Sequence, residues 1–251
     1  LPSGQLKLLS AVSGGSASVV SVLVHGGALK VDDVADMSDA VLDAWYPGME
    51  GGGAVADVLF GDVSPAGRPP VTAYASDAEL PPMGTMGLYP NVTANSKGLT
   101  YRYYTGVPTI PFGSGLSYTK FNYTALAAPR SVQACDDLMV NVTLSNVGTV
   151  DSDEVVQLYL SQPSSSVPVP QLRLASFSRV HLKAGQSATV QLVVSPEFRS
   201  AVLPSANPYH PDIVVEKGTI TLHVGGGQPT FFPGTLATQV DVTTTAPLDT
   251  C

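Results

Sequence analysis

Val140-Asn141-Val142-Thr143-Leu144-Ser145 runs into Asn146-Val147-Gly148, and Val156-Gln157-Leu158-Tyr159-Leu160 follows soon after. The first six residues alternate apolar and polar without a break. A strand turns successive side chains to opposite faces, so this spelling buries Val140, Val142 and Leu144 and leaves Asn141, Thr143 and Ser145 outside. Val190, Leu192 and Val194 repeat the pattern, as do Ile220, Leu222 and Val224. His223, between two of these, falls on the solvated face. Turns are supplied by Asn146-Val147-Gly148, Ala184-Gly185-Gln186, Glu216-Lys217-Gly218 and Gly225-Gly226-Gly227. Short alternating strands between such turns describe an antiparallel β-sandwich over residues 119–251.

Upstream the pattern changes, giving a chain of class α/β plus all-β. Leu6, Leu8, Leu9 and Val12 mark one side of a short helix, with Ser3 as its N-cap and Gly14-Gly15 as its stop. Val19 to Val24 is a β-branched run with the character of a strand buried on both faces. Residues 31–38 suit a short helix, and Val41 to Trp45 either extends it or forms a second buried strand. Ala54, Val55, Val58 and Leu59 give one face of a helix over about 50–60, closed by Gly61, and Val71 with Ala73 suggests another strand. This α/β region covers residues 1–95, and residues 96–118 form a packed connector whose Tyr101, Tyr103, Tyr104, Phe112 and Tyr118 need surface to bury against. Three strands in such a length make a poor core, so the region reads as the C-terminal half of a larger domain.

Composition narrows the function classes. The chain has 251 residues, with Lys+Arg 12 against Asp+Glu 20, a net charge of −8 and only 13% charged residues. A nucleic-acid binder would be basic. A disordered chain would hold fewer apolar residues than the 44% found here. No membrane span is expected: the uncharged stretch 8–29 is interrupted by Ser10, Ser13, Gly14, Gly15 and Ser16. Leu1 is not Met and no signal peptide is spelled, so a processed product or a fragment is expected. Cys135 and Cys251 either form one disulfide, remain thiols, or leave Cys251 to bond another chain. Sequons stand at Asn91, Asn122 and Asn141, each a candidate N-glycosylation site. Three sequons, low charge and an even cysteine count point to an extracellular glycoprotein, secreted or in a cell wall or periplasm-like space.

No complete catalytic constellation is spelled. Glu50-Gly51-Gly52-Gly53 opens a helix but lacks the Lys-Ser/Thr of a phosphate loop, so Glu50 is either a turn residue or faces a site at the strand ends. His25 follows a buried strand at the end where α/β sheets bind ligands. His181, His210 and His223 have no His or Cys at ligand spacing. Asp32-Asp33 and Asp136-Asp137 read as turn residues or caps. No G-x-S-x-G elbow occurs, and neither metal nor cofactor is called for.

Three stretches carry a resemblance: Trp45-Tyr46-Pro47-Gly48-Met49-Glu50-Gly51-Gly52-Gly53 through Asp62 to Ser64-Pro65-Ala66-Gly67-Arg68-Pro69-Pro70-Val71-Thr72; Thr100-Tyr101-Arg102-Tyr103-Tyr104 with Ile110 to Thr119; and Asn146-Val147-Gly148 with Asp153 to Leu160. Together they resemble the C-terminal portion of glycoside hydrolase family 3 enzymes, β-xylosidases and β-glucosidases. The resemblance implies the latter half of the family's α/β sandwich domain, then a fibronectin type III-like domain of immunoglobulin-like β-sandwich form. It implies a retaining exo-hydrolysis of oligosaccharides or glycosides from non-reducing ends by an Asp nucleophile and a Glu acid/base. Both would lie upstream of Leu1, on a (β/α)8 barrel and in the rest of the sandwich domain, so no catalytic residue is assigned here. The expected partner is that N-terminal region, and this chain alone is expected to be inactive. By position, His25, Trp45, Tyr46 and Glu50 would lie near the substrate, although His25 stands where the family more often has Ser. The alternative is a non-catalytic glycoprotein that keeps the fold as a structural or carbohydrate-binding module.

Overall fold

The computed structural model describes residues 1–82, 84, 87–93, 95–205, 209 and 211–251. The chain folds into two compact units, Leu1–Val63 with Pro69–Phe112, and Ser64–Arg68 with Gly113–Cys251. Of the expected connector, residues 96–112 belong to the first unit and 113–118 to the second.

The first unit opens with α1 (Ser3–Ser13). Ser3 does not cap it: Pro2 holds the cap position with φ −59°, and its carbonyl takes the N–H groups of Gln5 and Leu6. β1 (Val20–Leu23) and β2 (Ala40–Asp43) pair in parallel, Val20 opposite Ala40 and Leu23 opposite Asp43, on either side of α2 (Asp32–Asp36). Val41 and its neighbours are therefore a strand and not the end of a helix. The burial expected of β1 is corrected. Only Leu23 is buried, while Val20 and Val24 are 47% and 60% exposed and Leu8 of α1 is 67% exposed. Among the described residues β2 is the sole sheet partner of β1, so one edge and much of its surface lack the neighbours that bury a parallel strand. The local core is small: Leu23, Val31 and Val34, with Leu9, Leu29 and Ile110 against them.

α3 (Gly51–Phe60) ends on Gly61, whose φ of +86° is the left-handed cap a glycine adopts freely. Val71 and Ala73 form no strand. Ala73 makes only a bridge to Ile110, and Pro69-Pro70 just before it bring no N–H groups to a ladder. After the short α4 (Thr100–Tyr103), aromatic pairs fill the remaining volume: Tyr101 stacks on Phe112 at 4.2 Å, and Tyr74 meets Tyr104 edge-on at 4.9 Å.

The second unit is the sandwich. Its strands are β3 (Phe121–Ala127), β4 (Ser131–Val132), β5 (Leu138–Asn146), β6 (Ser152–Ser161), β7 (Arg173–Leu182), β8 (Ser187–Val194), β9 (Ser200–Leu203), β10 (Asp212–Val215), β11 (Gly218–Gly225), β12 (Leu236–Val242) and β13 (Ala246–Pro247). They form sheets ordered β3-β5-β8, β4-β12-β11-β6-β7 and β13-β10-β9. The alternation that identifies β5 is realised along its length, with Val140, Val142 and Leu144 fully buried between the sheets. One dry cluster gathers them with Leu158, Leu192 and Leu222. His223 is half-buried, not on a freely solvated face, and that burial pushes its pKa below the usual imidazole value.

Two charged side chains, Glu154 and Arg199, lie inside this unit. Glu154 is buried on β6, where its carboxylate accepts from Arg68 Nη2 and from the Tyr123 hydroxyl, each at 2.8 Å. Burial raises the Glu154 pKa above the usual glutamate value, against the opposing pull of Arg68. Arg199 is fully buried and donates to the carbonyls of Gln133 at 3.2 Å and of Asp136, fastening the loop that carries Cys135. Cys135 and Cys251 are joined in a disulfide across 116 residues.

Candidate functional site

The parallel register of β1 and β2 sets up the site. Leu23 stands opposite Asp43, so the loops that leave both strands at their carboxyl ends bring His25 beside Trp45, ring centroids 5.0 Å apart. Asp43 ties the two together. Its Oδ1 lies 2.5 Å from His25 Nε2, and its Oδ2 accepts from Trp45 Nε1 at 3.2 Å. The other imidazole nitrogen, Nδ1, is 2.6 Å from the Gly27 carbonyl oxygen. Both ring nitrogens are thus held, which fixes the plane of the ring.

Tyr46 completes the group. A Cβ added at Gly26 would come within 2.5 Å of Tyr46 Cε2, so the phenol ring rests directly on the Gly26 backbone, yet Tyr46 is 74% exposed. One ring face is supported by protein and the rest is offered to solvent. Trp45 adopts φ +52°, a left-handed conformation that costs a bulky residue about 1–2 kcal/mol. Such strain persists where the surroundings over-determine the conformation, here through the indole bond to Asp43. Behind His25, Asp43 and Trp45 lies a cavity of about 20 Å³, bounded by Val71, Ala73 and Ile110. That space suits one water molecule and excludes a sugar ring, so a ligand would be met on the exposed side.

The structure therefore brings together three of the four residues expected from the sequence, His25, Trp45 and Tyr46. Glu50 is exposed at the start of α3 and makes no side-chain capping bond; its backbone carbonyl accepts from Ala54 at 3.0 Å. Asp43 is the member that sequence reading missed. Its one signal was a carboxylate closing a short apolar run two residues before the chain's single tryptophan.

The larger concavity of the first unit, about 470 Å³, lies between α1 and β1 and is lined by apolar side chains such as Leu6, Leu9, Val20 and Val22. It lacks the convergent polar groups that orient a sugar. Among the described residues no group of three or more His, Cys, Asp or Glu is placed to hold a metal ion, and no helix is long and apolar enough to cross a membrane. His181 is engaged elsewhere, its Nδ1 2.7 Å from Asp153 on the sandwich, and His210 lies outside the described residues. Of the sequon asparagines, Asn91 and Asn122 are exposed and Asn141 is half-buried on β5.

Two family models match along the chain. Residues 1–118 match the Glycosyl hydrolase family 3 C-terminal domain, and residues 154–228 the Fibronectin type III-like domain. The chain is 38% identical over 202 residues to a xylan 1,4-beta-xylosidase of Xylanibacter ruminicola, covering 78% of this chain and 22% of that protein. It is 35% identical over 207 residues to a beta-glucosidase of Rhizobium radiobacter, covering 78% of this chain and 25% of that protein. The crystal structure of a Bifidobacterium adolescentis GH3 beta-glucosidase superposes with a TM-score of 0.82 at 29% identity, over 96% of this chain and 35% of that one. The chain thus spans 22% to 25% of these two curated relatives.

Proposed function

The chain belongs to glycosyl hydrolase family 3, carrying its C-terminal domain and a fibronectin type III-like domain, and from that premise we propose that it is the C-terminal part of a secreted retaining exo-β-glycosidase. The substrate class is a β-xyloside or β-glucoside, cleaved from the non-reducing end. One carboxylate attacks the anomeric carbon while a carboxylic acid protonates the departing oxygen, and water then releases the sugar. The Asp nucleophile and Glu acid/base are supplied by an N-terminal region carrying the barrel and the remainder of the α/β domain. The apolar groove between α1 and β1 is a packing surface for that region. This chain's own contribution is the rim formed by His25, Trp45 and Tyr46, with Glu50 nearby. There the exposed Tyr46 ring borders an outer sugar position while Asp43 holds the imidazole and indole in place.

The observation that carries the reading is the kinship with enzymes named as xylosidase and glucosidase over more than three quarters of the chain. The experiment is an assay of the full-length protein on nitrophenyl β-xyloside and β-glucoside, beside the 251-residue chain alone. Turnover by the first and none by the second is expected. Failure of the full-length protein on both substrates overturns the reading in favour of a non-catalytic glycoprotein. Activity of the short chain overturns the assignment of the catalytic carboxylates.

A further inference from the structure

We propose that the outer face of the β3-β5-β8 sheet is a glycan-covered face, with N-linked oligosaccharides on Asn122 and Asn141 taking the place of charged side chains. The inference rests on the reading of the protein as secreted, and it concerns a different face from the sugar rim.

The strand register assembles the face. Asn122, Ser145 and Ser187 stand in one row, and Ala127, Asn141 and Gln191 in another. Between them Thr143 and Thr189 face each other, their hydroxyl oxygens 2.9 Å apart, and the Ser145 and Ser187 hydroxyls are 2.7 Å apart. The last outward pair is Met139 with Val193. None of these positions is Lys, Arg, Asp or Glu. A soluble surface is ordinarily about 25–35% charged, and the other large sheet does carry charge, with Asp153 pairing Arg179 at 2.5 Å. β3 and β8 are the terminal strands of their sheet, so each leaves one edge without a ladder partner in that sheet. Such edges pair with further copies of the chain unless something on the edge or on the adjoining face blocks the approach. A lysine or a proline along the strand is absent from β3 and β8, and the register shift between Tyr123 and Ala125 is a local irregularity in β3 alone.

The two sequons supply another device. Asn122-Tyr123-Thr124 and Asn141-Val142-Thr143 both present their asparagines to this face. Asn122 is exposed. At Asn141 it is Oδ1 that accepts from Gln191 Nε2, at 3.4 Å, and Nδ2 is the atom a glycan bonds. In the modification Nδ2 attacks C1 of an oligosaccharide carried on a polyprenyl diphosphate. The N–C1 bond forms, the C1–O bond to the diphosphate breaks, the amide gives up one proton, and nothing is oxidised or reduced. Asn141 lies four residues along β5 from Ser145, the partner of Asn122, a separation of about 13 Å at strand rise. Two oligosaccharides at that spacing cover three strands, which span only about 10 Å.

The test uses the full chain secreted from a eukaryotic host, with occupancy read by peptide mass and association by light scattering before and after enzymatic removal of N-glycans. Expected are occupied Asn122 and Asn141, and a monomeric protein that associates once deglycosylated or as Asn122→Gln/Asn141→Gln. A Thr189→Lys/Gln191→Glu double substitution should keep the deglycosylated protein monomeric, which ties association to this face and not to the apolar groove. Asn91, in the other unit, separates the failures. If Asn91 alone is occupied, the glycan face is wrong and the secretory reading stands; if none is occupied, the secretory reading falls as well. Equal association with and without glycans, or no rescue by the charged pair, overturns the proposal.

Discussion

Glu154 is the charged residue that falls on a buried strand face. By spacing it shares a face with Val156 and Leu158, so alternation alone would put a carboxylate in the core. The structure does so and answers it with Arg68 and Tyr123. Breaking a buried pair by removing one partner typically costs about 3–5 kcal/mol, whereas replacing both with apolar groups is often neutral. Arg68→Met is therefore expected to lower the free energy of unfolding by roughly 3 kcal/mol or more, and Arg68→Met/Glu154→Met to restore most of it. Urea unfolding of the three proteins measures this. The pH dependence has a definite sign. A carboxyl whose pKa is raised in the folded state keeps its proton where the unfolded chain has lost it. Stability from Glu154 therefore falls as pH rises from the ordinary value of 4.5 through the raised one. Glu154→Gln removes that slope and Arg68→Met steepens it. Asp153, held low first by His181, and Glu79, held low first by Lys97, act in the opposite direction: their support is lost as pH falls below the ordinary carboxylate range. Their partners Lys97, Arg179 and His181 are exposed, so their share is small.

At the scale of elements, legibility followed the range of the forces involved. β5, β8 and β11 were legible because a strand with one buried face writes that face into every second residue. α3 was legible through Gly61, whose left-handed φ needs no distant partner. β1 was legible as a strand but not in its burial, because burial depends on which other elements lie against Val20 and Val24, and no local pattern encodes that. Val71 and Ala73 misled for the same reason: a β-branched residue near another apolar one suggests a strand, but prolines on one side leave only the bridge to Ile110. In the site, His25 and Trp45 were visible as loop residues after strands, while Asp43 became meaningful only through the register between β1 and β2. The cysteine pairing was open in the sequence and is closed in the structure, where it ties the loop before β5 to the C-terminus. Loop-closure entropy over such a span corresponds to about 4–5 kcal/mol, with measured removals at about 2–5. Reduction, or Cys135→Ala/Cys251→Ala, is expected to lower stability within that range, read as a drop in melting temperature against the oxidised protein. Arg199 continues to hold the Cys135 loop by its carbonyls, so the sandwich should weaken without losing its sheets.

For the whole molecule, the route of the chain matters more than the count of domains. The backbone enters the sandwich at Ser64, leaves it after Arg68 and returns at Gly113. Ser64 is fastened there by its hydroxyl, which accepts from the Ser152 hydroxyl at 2.9 Å and from the Tyr118 N–H at 3.0 Å. A protease site engineered at Val107, which is 73% exposed, is accordingly expected to give two fragments that co-elute under native conditions and separate only in denaturant. Separation on cleavage alone would show that the Ser64–Arg68 segment holds nothing. The arrangement also bears on ancestry. A gene rearrangement that transplanted only the sequence downstream of Tyr118 would deliver a sandwich whose buried Glu154 keeps the Tyr123 hydroxyl but loses its guanidinium. One that kept only the upstream part would leave a guanidinium with nowhere to go. The second unit is assembled from two stretches of chain, Ser64–Arg68 and Gly113–Cys251, so a crossover anywhere between Arg68 and Gly113 carries a penalty written into the fold.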